Sequence, residues 1–397
     1  MRLCDWFAGI DINDRDVIAA IGSSHGDSDA RVHGSRSFAA ESDIERHRAL
    51  REIGEWLRLE SGGNLRLVAF TVPGNAYQAL PSRGECRFAE PAVVDDEMVE
   101  MVRQRALFNA GHGGPVLCSA ARGFVCDGKT FPEAPLGLPV RSLAADVMNW
   151  IAEPRYVESI SGLLDDIGFA PGLIVPRAVA LAEAALSPME RNRGAVALCV
   201  SNEMTEVVAY RDGELDDLFT IPLGTARLNA KLATACGISL DLVQRIDLGR
   251  MLECKDSDPL VQRVRTIVSA WGLSLMRAIR ARLEALGPIW QFRSGLVIAD
   301  SARMLPLLAE TATRVTGVPA RVAVAERATI GVNRAEPLAA RGLIPLQRHV
   351  NSNADELLAP PMINDPDFGS GERDERRGIG PVIGRWLREF VPADHAP

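Results

Sequence analysis

Two stretches of this chain open in the manner of α/β units, and that duplication most restricts what it can fold into. In the first, Trp6 to Ile21 reads as a strand, a tight polar turn at Asn13-Asp14-Arg15-Asp16 and a second strand from Val17. Helical spacing follows from Ile44 to Leu57, and then an apolar strand, Leu65 to Phe70. The second unit starts near Gly194. Val196–Val200 and Glu206–Tyr210 flank a polar turn, and Asp212-Gly213 turns the chain into Leu215–Pro222. Strands that alternate with helices define the α/β class.

The segment between the two units has a different character. Asp95–Phe108 carries helical apolar spacing through Met98, Val102 and Leu107. Val116–Ala120 and Gly123–Asp127 read as paired strands, with a further turn at Asp127-Gly128 and a strand from Val140 to Trp150. A helix then repeats Val157, Ile160, Leu163, Leu164 and Ile167 on one face. This pattern suits a small α+β insertion over 80–169. In the second unit, Asp258-Pro259 caps a long helix that ends near Leu286, Leu296–Ala299 reads as a buried strand, and Ala302–Thr316 as a helix.

At 397 residues the chain exceeds a single core, which stops growing at about 250–300 residues. Its net charge of -8 disfavours nucleic acid as a partner, because a polyanion needs a basic face to displace counterions. The 7 cysteines are scattered, none in a C-x-x-C spacing, and read as reduced core thiols of a cytosolic protein. The histidines show no ligand spacing, His25, His33 and His112 reading as loop residues, so no metal site is expected. Asp5 interrupts any signal-peptide core, and no apolar run approaches the ~20 residues that span a bilayer. No catalytic constellation is read along the chain, and Gly111-His112-Gly113-Gly114 reads as a connector.

Order fades after Leu346. Residues 347–377, rich in Asn, Asp, Pro, Gly and charge, read as a flexible linker. In the last stretch, 378–397, the residues Ile379, Val382, Ile383, Trp386, Leu387, Phe390 and Val391 fall on one helical face, with Arg385, Arg388 and Glu389 opposite. Gly380-Pro381 is a helix entry and Pro392 a stop. The stripe predicts a membrane-surface helix, since its apolar face can sink ~5–10 Å into the interface. Each nearby arginine adds about 1 kcal/mol on an anionic surface.

The order of these elements, and the Gly384-Arg385-Trp386-Leu387-Arg388-Glu389-Phe390 run, resembles the FtsA family of actin-like cell-division proteins, which anchor FtsZ filaments to the bacterial membrane. The resemblance spans essentially the whole chain. It implies an actin-like, two-lobed α/β fold of RNase H-like repeats, with an inserted α+β domain of SHS2 type and a C-terminal amphipathic helix. The first lobe would take 1–79 and 170–194, and the second 195–346 with a helical subdomain at 237–290.

Members of that family hold ATP with magnesium between the lobes, on glycine-bearing loops whose backbone approaches the phosphates. Here those loops are rewritten. After Asp11-Ile12 the first continues Asn13-Asp14-Arg15-Asp16; the second reads Cys199-Val200-Ser201-Asn202-Glu203-Met204-Thr205-Glu206 without a glycine; and the adenosine turn is Ala299-Asp300-Ser301. Asp14, Asp16, Glu203 and Asp300 would set carboxylates against a triphosphate, a clash of a few kcal/mol each at close range. Asp11 alone does not make a magnesium site. The resemblance therefore implies a pseudo-ATPase without cofactor, a peripheral protein on the cytoplasmic side of the inner membrane at the division site. Its partners would be anionic lipid, FtsZ or other division proteins, and further copies of itself or of FtsA. The rival expectations are a working ATPase with unconventional loops, and an adaptor of a pilus or secretion platform resembling PilM.

Overall fold

A computed structural model describes residues 5–13, 16–25, 30–110, 113–246, 248–253, 258–299, 305–323 and 338–354. The first unit opens with β1 (Asp5–Ile12), β2 (Asp16–Ser24) and β3 (Arg31–Ala39), an antiparallel meander. Helix α1 (Asp43–Ser61) follows, then β4 (Leu67–Val72). Ser42 and Glu45 form a capping box at the start of α1, and Gly62, in the left-handed region, ends it. His33, expected in a loop, lies on β3, where Ser23 Oγ contacts its Nε2 at 2.6 Å. Alternating exposure along this edge strand disguises it in the sequence.

An inserted body comes next, made of β5 (Tyr77–Val93), α2 (Asp96–Ala110), β6 (Val116–Cys126), β7 (Lys129–Phe131) and β8 (Pro139–Ala152) in the order β5-β8-β6-β7. The two strands expected at 116–120 and 123–127 are one, β6, because both parts pair with β8 across a bulge at Ala121/Gly123. Residues Asp127 and Gly128 both have positive φ, at 47° and 82°, which suits the two-residue turn into β7. Strand β5 has no clear sequence signal, since it lies at a sheet edge where Pro81 and Pro91 cost no ladder bond.

Helix α3 (Pro154–Asp166), grouped with the insertion in the sequence reading, belongs elsewhere. Its Ile160 and Leu164 join Ile167 and Phe169 in the core of the first unit, beside Ile53 and Leu57 of α1. The insertion thus closes at Ala152. Strand β9 (Ala170–Pro176) completes the sheet β3-β2-β1-β4-β9, in which β1, β4 and β9 run parallel. Helix α4 (Arg177–Ala185) and the short α5 (Pro188–Asn192) lead out of it.

The second unit repeats this plan. Strands β10 (Ala195–Val200), β11 (Thr205–Arg211) and β12 (Glu214–Ile221) form the meander. After them come α6 (Thr225–Cys236), α7 (Leu240–Arg245), α8 (Leu248–Glu253) and α9 (Pro259–Leu286), then β13 (Gly295–Ala299), α10 (Leu305–Thr316) and β14 (Ala320–Val322). The sheet order β12-β11-β10-β13-β14 matches that of the first lobe, and β10 and β13 are buried along their full length, as inner parallel strands are. Asp258 caps α9 ahead of Pro259, as its sequence indicates. Cys86, Cys118, Cys126 and Cys199 are buried and outside any disulfide.

Helix α11 (Leu338–Ala354) runs past the expected start of the linker at 347, because Leu343, Ile344, Leu346 and Gln347 pack into the first lobe. Gln347 Oε1 accepts from the Ala8 amide at 3.2 Å, and its Nε2 donates to the Leu67 carbonyl at 3.2 Å. Glycines permit this approach: a Cβ on Gly342 would lie 1.8 Å from the Ala180 carbonyl of α4. Gly342→Ala is accordingly expected to cost about 1–3 kcal/mol by overpacking. The check is a lower urea midpoint with an unchanged slope. The rest of the linker and the amphipathic stripe Ile379–Val391 lie outside the described residues.

Candidate functional site

Between the lobes, where the β1–β2 turn faces the β10–β11 turn, lies a cavity of about 240 Å³. Ile12, Asn13, Arg46, Tyr156 and Arg177 line it from the first lobe, with the loop Pro73 to Ala76, and Ser201, Glu203, Met204 and Glu206 from the second. Two of the three rewritten loops thus meet here. Ala299, from the third, ends β13 inside the second-lobe sheet and does not line the cavity; Asp14, Asp300 and Ser301 lie outside the described residues.

Asp11 is the last residue but one of β1 and does not line the cavity. It is buried, it accepts the Thr71 hydroxyl, and Arg177 Nε donates to it at 2.8 Å. A second Arg177 nitrogen donates to the Ile12 carbonyl at 2.8 Å. Burial pulls the guanidinium pKa down, but Asp11 and the neighbouring Cys199 and Glu206 outweigh it and hold Arg177 well above its ordinary value. Arg177 thus holds the strand-end aspartate in an internal ion pair.

On the opposite wall the β10–β11 turn is spent on structure. The Ser201 amide donates to the Met204 carbonyl at 2.9 Å, while the carbonyls of Ser201 and Asn202 accept from Thr225 and Ala226 at the start of α6. Asn13 likewise holds its own turn, its Oδ1 accepting from the Asp16 amide at 2.8 Å. Cys199 is buried in β10, paired in register with Glu206 and Ala299. Among the described residues no group of three His, Cys, Asp or Glu is placed to hold a metal.

Glu206 crosses to the first lobe. Tyr77 donates its hydroxyl to Glu206 Oε2 at 3.3 Å, and the Gly74 amide also reaches the carboxyl. Burial pushes the Glu206 carboxyl up to about 7, Asp11 adding to the rise while Arg177, the Gly74 amide and Tyr77 resist it. At Gly74 the lobes are so close that a Cβ would lie 2.6 Å from Thr220.

The insertion makes a second bridge. Arg122 of β6 donates to the Asp216 carbonyl and to Asp217 on β12, and Trp150 Nε1 of β8 donates to the Leu218 carbonyl at 2.7 Å. Asp217, 1% exposed, also takes Arg282 at 3.3 Å. Together these contacts tie the inserted sheet to the edge strand of the second lobe.

No protein-family model matches the chain. It is similar to the cell division protein FtsA of Neisseria meningitidis serogroup B, at 19% identity over 339 residues, covering 79% of this chain and 82% of that one. Among solved structures it is similar to that titled PilM-PilN type IV pilus biogenesis complex, with TM-score 0.53 and 18% identity over 80% of this chain and 87% of the other. It is also similar to MreB5 of Spiroplasma citri bound to AMPPNP, with TM-score 0.51 and 9% identity over 89% and 99%. The chain has the actin-like ATPase fold.

The sequence reading missed much of what fills this actin-like cleft. Arg177, Arg46, Tyr77 and Tyr156 come from outside the loops that the resemblance marks. Arg177 left a trace all the same, being a lone charge within the apolar run Leu173 to Ala182. A charge in such a run is either paired or misread. Arg46, on an ordinary helix surface, left none.

Proposed function

We propose that this protein is a non-enzymatic, actin-like adaptor that links a bacterial assembly to the cytoplasmic face of the inner membrane, in the manner of FtsA, and that it does not use ATP. The observation that carries this reading is the cleft itself, where Arg177 ties up Asp11 and the carboxylates Glu153, Glu203 and Glu206 line the wall. A triphosphate entering there would meet like charges close at hand in a partly buried site, at a few kcal/mol per pair. The likeness to FtsA makes the division machinery, FtsZ included, the first class of partner to test. The likeness to PilM favours a second reading, an adaptor of pilus assembly.

Attachment would rest on the terminal stripe, with Ile379, Val382, Ile383, Trp386, Leu387, Phe390 and Val391 in the interface and Arg385 and Arg388 at the headgroups. A single short helix of this kind binds modestly, so self-assembly or partner binding would supply the avidity.

Purified protein is expected to sediment with anionic liposomes, Trp386→Glu to leave it in the supernatant, and millimolar ATP with magnesium to leave the melting temperature unmoved. A rise in melting temperature with ATP would overturn the non-nucleotide reading, and unchanged sedimentation of Trp386→Glu would overturn the anchor. Pull-downs on FtsZ and on pilus components separate the two adaptor readings.

A further inference from the structure

One strand of the second lobe carries the whole seam with the insertion. Strand β12 ends the sheet β12-β11-β10-β13-β14, and a terminal strand presents one row of backbone groups with no neighbouring strand to pair with. First-lobe chain meets that strand at three alternate positions. Arg122 of β6 donates to the Asp216 carbonyl, Trp150 Nε1 of β8 donates to the Leu218 carbonyl at 2.7 Å, and at Thr220 the 73–76 loop comes so close that a Cβ on Gly74 would lie 2.6 Å away. The two donors also touch each other, the Arg122 guanidinium lying 5.9 Å from the centre of the Trp150 ring.

Between these contacts sits Asp217, buried, with Arg122 on its Oδ1 and Arg282 of α9 on its Oδ2 at 3.3 Å. Arg122 cannot withdraw without taking a charge-assisted partner from a buried carboxylate, which is a costly state. The seam is apolar as well: a single cluster of buried side chains includes Leu117, Cys118 and Trp150 of the insertion together with Tyr210 and Leu218 of the second lobe. Relative motion is the default between domains, and an interface with a substantial apolar core suppresses it.

We propose that the inserted body is a clasp: by holding β12 through Arg122 and Trp150 it fixes the angle between the lobes, so that the cleft keeps one width with no ligand to set it. Asp217 passes the hold on to α9 through Arg282, and the insertion and the helical side of the second lobe move as one body. The inference rests on the reading of the chain as an adaptor that does not use ATP, since a clasped cleft leaves no closure for a nucleotide to drive. It stands whether the adaptor serves division or pilus assembly.

The test is hydrogen exchange of the full chain, read by mass spectrometry segment by segment, together with small-angle X-ray scattering. Arg122→Met keeps the aliphatic stem and removes the donors; Trp150→Phe keeps a ring and removes the indole N–H. The double variant is expected to melt cooperatively, while β12 and the 73–76 loop exchange about tenfold faster or more, the scale of two lost hydrogen bonds. Its radius of gyration should rise, and β10 and β13, inside the same sheet, should exchange as in the parent. Ile53→Val, a change in α1 that leaves the seam intact, controls for general loosening. If Trp150→Phe does not fold, Arg122→Met alone is expected to speed exchange in β12 and the 73–76 loop only. Unchanged exchange in β12, an equal effect of Ile53→Val, or a radius of gyration that stays at the parent value in the double variant would overturn the clasp and leave the adaptor reading standing. A parent that becomes more compact and exchanges more slowly in β12 on adding millimolar ATP with magnesium would overturn both.

Discussion

Arg177→Met is expected to lower the unfolding free energy by about 3–5 kcal/mol, the loss typical of a buried ion pair broken from one side. The substitution leaves Asp11 in the first-lobe core with only the Thr71 hydroxyl as partner and frees the Ile12 carbonyl as well. Removing the carboxylate too should undo most of the damage, because two apolar side chains of similar volume often replace a buried pair at little cost. The double variant Asp11→Leu/Arg177→Met should therefore be markedly more stable than Arg177→Met, although it carries one more substitution. Urea denaturation at pH 7 decides between additive and coupled behaviour. Additive losses would mean that the pair is two independent contacts and that Arg177 has another reason to be buried.

That pair also shows where sequence reasoning stops. The doubled α/β plan is legible because it rests on local signals: apolar runs of strand length, the Asp127-Gly128 and Asp212-Gly213 turns, and the Asp258-Pro259 helix start. All of these appear in the fold at those positions. Features that depend on distant partners are misread. Strand β6 looks like two strands because Arg122 interrupts its run of apolar and small residues, and only its partner β8 shows that the interruption is a bulge. Helix α3 looks continuous with the insertion because chain order says nothing about which core Leu164 enters. Helix α11 contains Pro345 and a polar end, so its docking on β1 through Gly9 and Gln347 is invisible in the sequence. In the cleft, the rewritten loops can be found because they align in order with a known pattern. Arg46, Tyr77 and Tyr156 converge on them from elements far away in the chain, and pairing of that kind has no period to detect.

The cleft should also govern how stability responds to pH. An unfolded glutamate titrates near 4.5, whereas Glu206 in the fold titrates at about 7 because burial disfavours its charged form. Below the unfolded value both states hold the proton and Glu206 costs nothing. As pH rises from there the unfolded chain releases its proton while the folded one keeps it, so stability falls by about 1.4 kcal/mol per pH unit. The loss levels off once the folded carboxyl ionises, at a total of roughly 3 kcal/mol. Glu206→Gln keeps the shape and removes the titration, so it is expected to match the parent near pH 4.5 and to exceed it by roughly 3 kcal/mol at pH 8. The difference between the two urea profiles isolates this residue from carboxylates with the opposite tendency, such as Glu190, whose pKa is lowered by its capping and arginine contacts against the pull of burial. A difference that stays flat from pH 5 to pH 8 would show that Glu206 is already ionised in the fold, with Arg177, the Gly74 amide and Tyr77 outweighing its burial.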